Sequence, residues 1–397
     1  MQNENSFFMY YNFDEETDRT QSSCVKYELL RAVFGREDIL PMWIADMDFK
    51  TPDFIINAIK ERCSHEILGY TCTPTTYKEA VLSWFERHYQ VKSNWKNMHF
   101  VPGIVQGIAF ALHAFTQPND KILIATPIYP PFLNVPKNIG RTLVNTKLLL
   151  QNGQLEFDFQ DLETKAKDCK LMILVNPHNP GGRVWTREDL QKIADICYRH
   201  HVLVISDEIH ADLTLPSFKH ISFSTVSQEA AENSITFFAP SKTFNIPGLA
   251  SSVCYAKNET IKHQFFNYLD ANELSLGNIF AFVGAEAAFR YGEEWLKQLL
   301  DYLQANINFV EQYLQTYLPS VKMIKPQASF LIWLDFRQWN MTQTELMSFL
   351  THQAKVGFVN GTDYGTDGIG FMRMNIGCQR RVVQEALERI RKAWTNK

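Results

Sequence analysis

The sequence predicts an α/β protein: a large domain with a mostly parallel sheet flanked by helices, plus a smaller α+β domain. Three observations predict it. Short β-branched runs, apolar on both faces, recur through the middle of the chain, as in parallel strands buried on both sides. Amphipathic helical patterns separate them, the alternation that crossover helices produce. From about Glu293 the alternation stops, and a long helical stretch, one apolar strand and a closing helix follow.

Taken in order, the strand candidates are residues 98–101, 121–125, 171–175, 202–206, 235–239 and 252–256. Among the intervening helices, residues 186–200 read most clearly. Leu190, Ile193, Ala194 and Cys197 recur at helical spacing, with Arg187, Glu188 and Asp189 in the first turn. The last third predicts a helix from Glu293 through Tyr317, a strand over 329–335 and a helix over 380–394. The N-terminal 45 residues lack the alternation and are read with this part. The division is therefore 46–289 for the large domain, and 1–45 with 290–397 for the small one.

Composition excludes several classes. The 397 residues carry 39 Lys+Arg against 43 Asp+Glu, a net charge of −4, without the basic excess of a nucleic-acid binder. Hydrophobic residues at 45% and charged residues at 21% exclude a disordered chain. The seven cysteines are odd in number and none is spaced as CxxC, which argues against a disulfide framework and a structural zinc site. Residues 1–18 carry acid and no apolar stretch, so no secretory signal is read there. The longest aliphatic runs, such as 171–175, fall far short of the ~18 residues a membrane span needs. A cytoplasmic protein without nucleic-acid, membrane or metal partners is expected. No GxGxxG follows a strand, which disfavours a dehydrogenase.

Ligands of open α/β sheets bind beyond the carboxyl ends of the strands, and those ends are unusual here. Pro102-Gly103 opens the apolar helix that starts at Ile104; this is either a plain strand–turn–helix or a phosphate seat of free N–H groups. Tyr129 sits in the proline-stiffened Thr126-Pro-Ile-Tyr-Pro-Pro131, either as a core tyrosine or as a stacking face for a flat ligand. Asn176-Pro-His-Asn-Pro-Gly-Gly182 is a tightly specified turn whose amides can donate to a ligand oxygen. Asp207 ends an apolar strand, where a carboxylate needs a partner. With His210 it reads as a metal pair, a structural pair, or a carboxylate facing a protonated ring nitrogen. Lys242, between Ser241 and Thr243, follows another buried strand and is either solvated or a Schiff-base former.

Together these motifs resemble the fold-type I pyridoxal-phosphate enzymes of aminotransferase class I/II, and within them the MalY/PatB-type cystathionine β-lyases (C–S lyases). The matching segments are Leu40-Pro-Met-Trp-Ile-Ala-Asp-Met-Asp-Phe49, Gly69-Tyr70-Thr71, Thr126-Pro-Ile-Tyr-Pro-Pro-Phe132, Asn176-Pro-His-Asn-Pro180, Asp207-Glu-Ile-His210 and Ser241-Lys-Thr-Phe-Asn-Ile-Pro247. The likeness runs from about Asp14 to Gly377.

The resemblance implies a pyridoxal 5′-phosphate enzyme. Lys242 would carry the cofactor as a Schiff base and move the substrate α-proton, Asp207 would face the ring nitrogen, Asn179 the ring oxygen, and Tyr129 the ring face. Gly103, Ile104 and Val105 would offer N–H groups to the phosphate, with Ser241 as a hydroxyl donor. His210 stands where aminotransferases carry tyrosine and is placed at the cofactor. Arg373 would grip the substrate α-carboxylate, a task suited to a bidentate guanidinium. Tyr70 would reach across a homodimer interface into the partner's site. Two positions depart from the wider class: Ala250 replaces an arginine eight residues after the lysine, and Ala239 replaces a serine three before it. The phosphate charge must then be balanced by the helix N-terminus and hydroxyls. The implied activity is α,β-elimination on cystathionine, cysteine or related S-substituted amino acids. Its rivals are an aminotransferase on the same scaffold and a regulatory binding protein with residual lyase activity.

Overall fold

The computed structural model describes residues 10–396. The reading of residues 1–18 as free of an export signal, and the outermost residues of the small domain, thus lie partly outside the described residues. The main sheet has eight strands: β1 (Met98–Val101), β2 (Lys121–Thr126), β3 (Thr142–Gln151), β4 (Gln154–Phe157), β5 (Leu171–Val175), β6 (Leu203–Asp207), β7 (Ser234–Phe238) and β8 (Ser252–Tyr255). Their spatial order is β1-β8-β7-β6-β5-β2-β3-β4. From β7 to β3 every pairing is parallel.

Two departures from the sequence reading have physical causes. The run at 252–256 forms β8, which is antiparallel to both β7 and β1. Between β7 and β8 lies only one short 3₁₀ turn, Pro247–Leu249, and a parallel return needs a longer crossover, usually helical. Both faces of β8 are still covered, so its composition matches that of a parallel strand. The β3–β4 hairpin was not foreseen. β3 is largely half-buried or exposed and lacks the continuous apolar run that marks the central strands.

A second sheet holds β9 (Lys322–Ile324), β10 (Leu331–Asp335), β11 (Val359–Asn360) and β12 (Phe371–Asn375), all antiparallel, in the order β9-β10-β12-β11. Only β10 was read from the sequence. The helix Arg187–Arg199 begins at a reciprocal capping box between Thr186 and Asp189. The helix Glu293–Tyr317 joins the two parts of the molecule. Its first turns put Trp295, Leu299 and Leu303 into the core beside the main sheet, while Ile307, Val310 and Leu314 enter the core of the second. Each such fully buried aliphatic side chain contributes roughly 1.5–3 kcal/mol. At the N-terminus, Leu40–Pro41 pairs with Val356–Gly357, which tethers the segment after it beside β12. Among the described residues, all seven cysteines are free thiols, and no helix is long and apolar enough to cross a membrane.

Candidate active site

β1, β2, β5, β6 and β7 run in one direction, so their carboxyl ends share one rim of the sheet. The residues just beyond those ends line a single cleft of about 740 Å³, counted out to its open mouth. It gathers Gly103, Ile104, Val105, Tyr129, Asn179, Asp207, His210, Ser241 and Lys242.

One end of the cleft is the start of the helix Ile104–Phe115. Gly103 is its N-cap and makes no side-chain capping bond, so the first N–H groups have no partner in the helix itself. With Ser241 close by, this is a seat for an anion. Ala250 also lines the cleft, with its backbone in the left-handed region at φ +52°.

The floor is built by β5, β6 and the turns after them. Side chains alternate along a strand, so Asp207 and Glu208 point to opposite sides. Asp207 faces the cleft, where its Oδ1 accepts from the Ile209 N–H at 3.1 Å. Burial pushes this carboxyl up to about 7, with the Ile209 bond and Lys242 opposing. Glu208 turns away and accepts from Ser206 Oγ at 2.9 Å and Phe223 N–H at 2.8 Å, and pairs with His220 Nε2 at 2.8 Å. Buried His210 Nδ1 has no hydrogen-bond partner among the described residues. Burial, then the charges of Lys242 and Arg373, lower His210 to about 3. Among the described residues, no group of three or more His, Cys, Asp or Glu is placed to hold a metal.

Asn179 belongs to a turn fixed on two sides. His178 Nε2 contacts the Pro127 carbonyl at 2.9 Å, tying the turn to the Tyr129 loop. Gly182 has φ +64°, and a Cβ there would lie 2.6 Å from Pro326 Cβ, so this close approach requires glycine. Tyr129 is held edge-on against Phe132, with ring centroids 5.5 Å apart.

Lys242 Nζ donates to the Ala45 carbonyl at 2.6 Å. Its amine is lowered to about 8, chiefly by burial and then by Arg373, while Asp46 and Asp207 act the other way. The loop is anchored by the next residue: Thr243 Oγ1 donates to Asp212 Oδ2 at 2.8 Å. Asp212 Oδ1 in turn accepts from Trp84 Nε1 at 3.0 Å and from the Tyr89 hydroxyl. Asp212, Trp84 and Tyr89 did not stand out in the sequence, since the two aromatics come from a distant helix, Thr75–Tyr89.

The opposite wall is a strap, residues 43–48. Arg373 on β12 donates from Nη2 to the Trp43 carbonyl at 3.0 Å and from Nη1 to Asn179 Oδ1 at 3.4 Å. Its buried Nε has no partner, and its guanidinium lies 5.3 Å over the Tyr364 ring. Asn375 Nδ2 donates to the carbonyls of Ile44 at 2.6 Å and Asp46 at 2.7 Å. Asn245 donates to those of Met47 and Phe49, both at 2.9 Å. Both asparagines lie in segments the sequence singled out, but nothing there signalled that they hold the strap. Tyr70 is not in the cleft of its own chain. It is fully exposed, at 108% relative accessibility, on a loop beside Leu68 and Leu276.

The cleft thus combines an anion seat, an aromatic face, a buried carboxylate, a lysine of lowered basicity and a guanidinium. Residues 37–390 match the aminotransferase class I and II family. The chain belongs to that family. Within it, the chain is 43% identical over 384 residues to cystathionine β-lyase PatB of Bacillus subtilis, covering 96% of this chain and 99% of PatB. It is 30% identical to protein MalY of Escherichia coli, over 95% of this chain and 97% of MalY. The PLP-bound C–S lyase from Staphylococcus hominis superposes with a TM-score of 0.91 at 32% identity, over 98% of this chain and 99% of that one. The family assignment accounts for the fold-type I architecture: a mostly parallel sheet between helices and a smaller antiparallel sheet.

Proposed function

We propose that the protein is a pyridoxal 5′-phosphate-dependent carbon–sulfur β-lyase that cleaves cystathionine and cysteine-type S-substituted amino acids to pyruvate, ammonia and a thiol. The observation that carries the reading is the arrangement of Asp207, Lys242 and the free helix N-terminus around one cleft. PatB, at 43% identity over nearly the full length, supports the sulfur-amino-acid substrate.

The donor set fits the cofactor. A phosphate matches the uncapped helix start and Ser241, which stand in for the arginine absent at Ala250. A protonated pyridine nitrogen would match Asp207, a buried carboxyl that accepts the Ile209 N–H among the described residues. Asn179, His210, with its unpartnered Nδ1, and Tyr129 line the same cleft and would hold the ring, Tyr129 by its aromatic face.

When bound, the cofactor supplies an electron sink for the pair left on the substrate Cα. The chain's residues do the rest. Asp207 would hold the ring nitrogen's proton through a charge-assisted hydrogen bond. Arg373 would grip the α-carboxylate and so orient the substrate Cα, a positioning effect that can be worth several kcal/mol. Lys242 Nζ, whose basicity burial lowers, would accept the α-proton. The Cβ–S bond then breaks with its electron pair on sulfur, and the thiolate takes a proton. Water hydrolyses the released aminoacrylate to pyruvate and ammonia.

The active unit in this reading is a homodimer with shared sites. Its support is Tyr70, whose side chain has no role in its own cleft, on an exposed loop with apolar Ile67, Leu68 and Leu276. The division into 46–289 and 1–45 with 290–397 stands as part of the same proposal; the second sheet has a core of its own, while one cluster packs Phe13, Trp295 and Phe330 against the large domain across that boundary.

The test is a product balance. The holoenzyme given L-cystathionine should release pyruvate and homocysteine in equal amounts, without a keto-acid co-substrate. Stoichiometric build-up of aminated cofactor with little pyruvate would make it an aminotransferase. No turnover on any sulfur amino acid would favour a regulatory protein.

A further inference from the structure

The strap at 43–48 is held from inside by Arg373, Asn375 and Asn245, and from outside by four charges, of which only Asp46 bears on the catalytic reading, through its field at Lys242. Lys26 is buried, with side-chain exposure of 1%. Its Nζ lies 3.0 Å from both carboxylate oxygens of Asp48 and 3.4 Å from Asp46 Oδ1. Arg19 spans the same two acids, at 2.6 Å from Asp46 Oδ2 and 2.5 Å from Asp48 Oδ1. Both cations also donate to strap carbonyls, Lys26 to Asp46 at 3.3 Å and Arg19 to Met47 at 3.3 Å. Finally, the Trp43 indole N–H donates to the Lys26 carbonyl at 3.0 Å. Two cations and two anions, all largely removed from water, thus close a ring over residues 43–48.

A surface ion pair of this kind would contribute little. A buried pair is no better as a stabiliser, because desolvation offsets the attraction; what such pairs can confer is a fixed geometry. Here the geometry has a definite consequence. The Trp43 carbonyl, at the start of the strap, is the acceptor that orients Nη2 of Arg373. A guanidinium recognises a carboxylate through a planar fork, so a small rotation of that plane weakens the grip.

We propose that Lys26, Arg19, Asp46 and Asp48 are positioning residues: by clamping the strap they fix the Trp43 carbonyl, and through it the angle at which Arg373 meets the substrate α-carboxylate. The clamp acts on the part common to all α-amino acid substrates and is blind to the leaving thiol. This rests on the reading that Arg373 holds the carboxylate.

The experiment measures steady-state kinetics of holoenzyme variants at 25 °C with L-cystathionine, L-cysteine and S-methyl-L-cysteine. Lys26→Met and Asp48→Asn should raise KM about tenfold for all three substrates and change kcat by less than about threefold, the pattern of lost binding common to ground and transition states. Lys26→Arg should restore most of the loss. In an Arg373→Lys background, which itself should raise KM strongly, Lys26→Met should add little, because both changes act on one contact. If Lys26→Met does not fold, Asp48→Asn, which keeps the shape and removes one charge, carries the same comparison. A lower melting temperature with KM unchanged at 25 °C would overturn the proposal and leave the cluster purely structural. So would additive effects in the double variant. Should Arg373→Lys itself leave KM unchanged, the carboxylate assignment would fail with it. A raised KM in Arg373→Lys beside normal clamp variants would refute the clamp alone.

Discussion

The two walls of the cleft are made in different ways. The sheet wall carries Asp207, Asn179 and Lys242 on strand ends and the turns directly after them, where backbone ladders between neighbouring strands set their spacing. The strap itself has no ladder, although Arg373, which meets it, sits on β12 between β10 and β11. Residues 43–48 are irregular, and consecutive carbonyls are pinned by side chains from β12, from Asn245 and from the N-terminal segment. A wall built on strands places groups rigidly and suits a resident cofactor. A wall pinned by side chains can be adjusted by single contacts and suits a substrate that comes and goes.

The sharpest way to break this division is at the sheet wall. Lys242→Ala should lower turnover by about 10⁴-fold or more, since it removes both the attachment point and the base. Pyruvate release and the visible absorbance of the purified protein check it. An active, still yellow variant would remove Lys242 from the centre of the site.

Asp207→Asn should cut turnover by about 10²–10³-fold while making the protein, once stripped of cofactor, more stable. The sign follows from the raised carboxyl. In the folded chain Asp207 keeps its proton up to about 7, whereas the unfolded chain releases it near 4. Between these pH values the folded state holds more protons, so stability falls as pH rises through the window. Above pH 7 the penalty is complete, on the order of 4 kcal/mol. Thermal melts of the stripped protein at pH 5 and pH 8 should show a drop that Asp207→Asn abolishes.

At the strap wall the expected effects are smaller. Asn375→Ala leaves the Ile44 and Asp46 carbonyls and the Gly377 N–H without their partner, which should destabilise by about 2–4 kcal/mol. Urea unfolding measures it, and a change below about 1 kcal/mol would mean that the strap holds itself. Smallest within one chain is Tyr70, which touches neither wall of its own cleft. Its effect should appear between chains: mixing an inactive Tyr70 variant with an inactive Lys242 variant should restore part of the activity. Full activity in a strict monomer would end the idea of shared sites.

The comparison also explains what the sequence could reveal. Asp207, Asn179, Lys242 and the Gly103 turn each follow a buried apolar run, so their place at one rim follows from strand direction alone. Position 373 emerged only from a family likeness, because β12 is short and its pattern ordinary. The partners of the strap were not legible. Lys26 and Asp48 are 22 residues apart in a stretch without helical or strand periodicity, and Asp212 meets Trp84 and Thr243 only through tertiary packing. Side-chain-to-carbonyl bonds leave no periodic trace. The antiparallel β8 was hidden for a related reason, since burial on both faces erases the pattern that marks strand direction.

In the proposed enzyme the sheet wall holds the cofactor and the strap wall holds the substrate. The most direct test measures two constants in two variants: the cofactor dissociation constant and the KM for L-cystathionine, in Asp207→Asn and in Arg373→Lys. Asp207→Asn should weaken cofactor binding markedly, and Arg373→Lys should leave it within about threefold of the parent while raising KM by about 100-fold, roughly 2.7 kcal/mol. Equal losses of cofactor in both variants, or an unchanged KM in Arg373→Lys, would contradict that division.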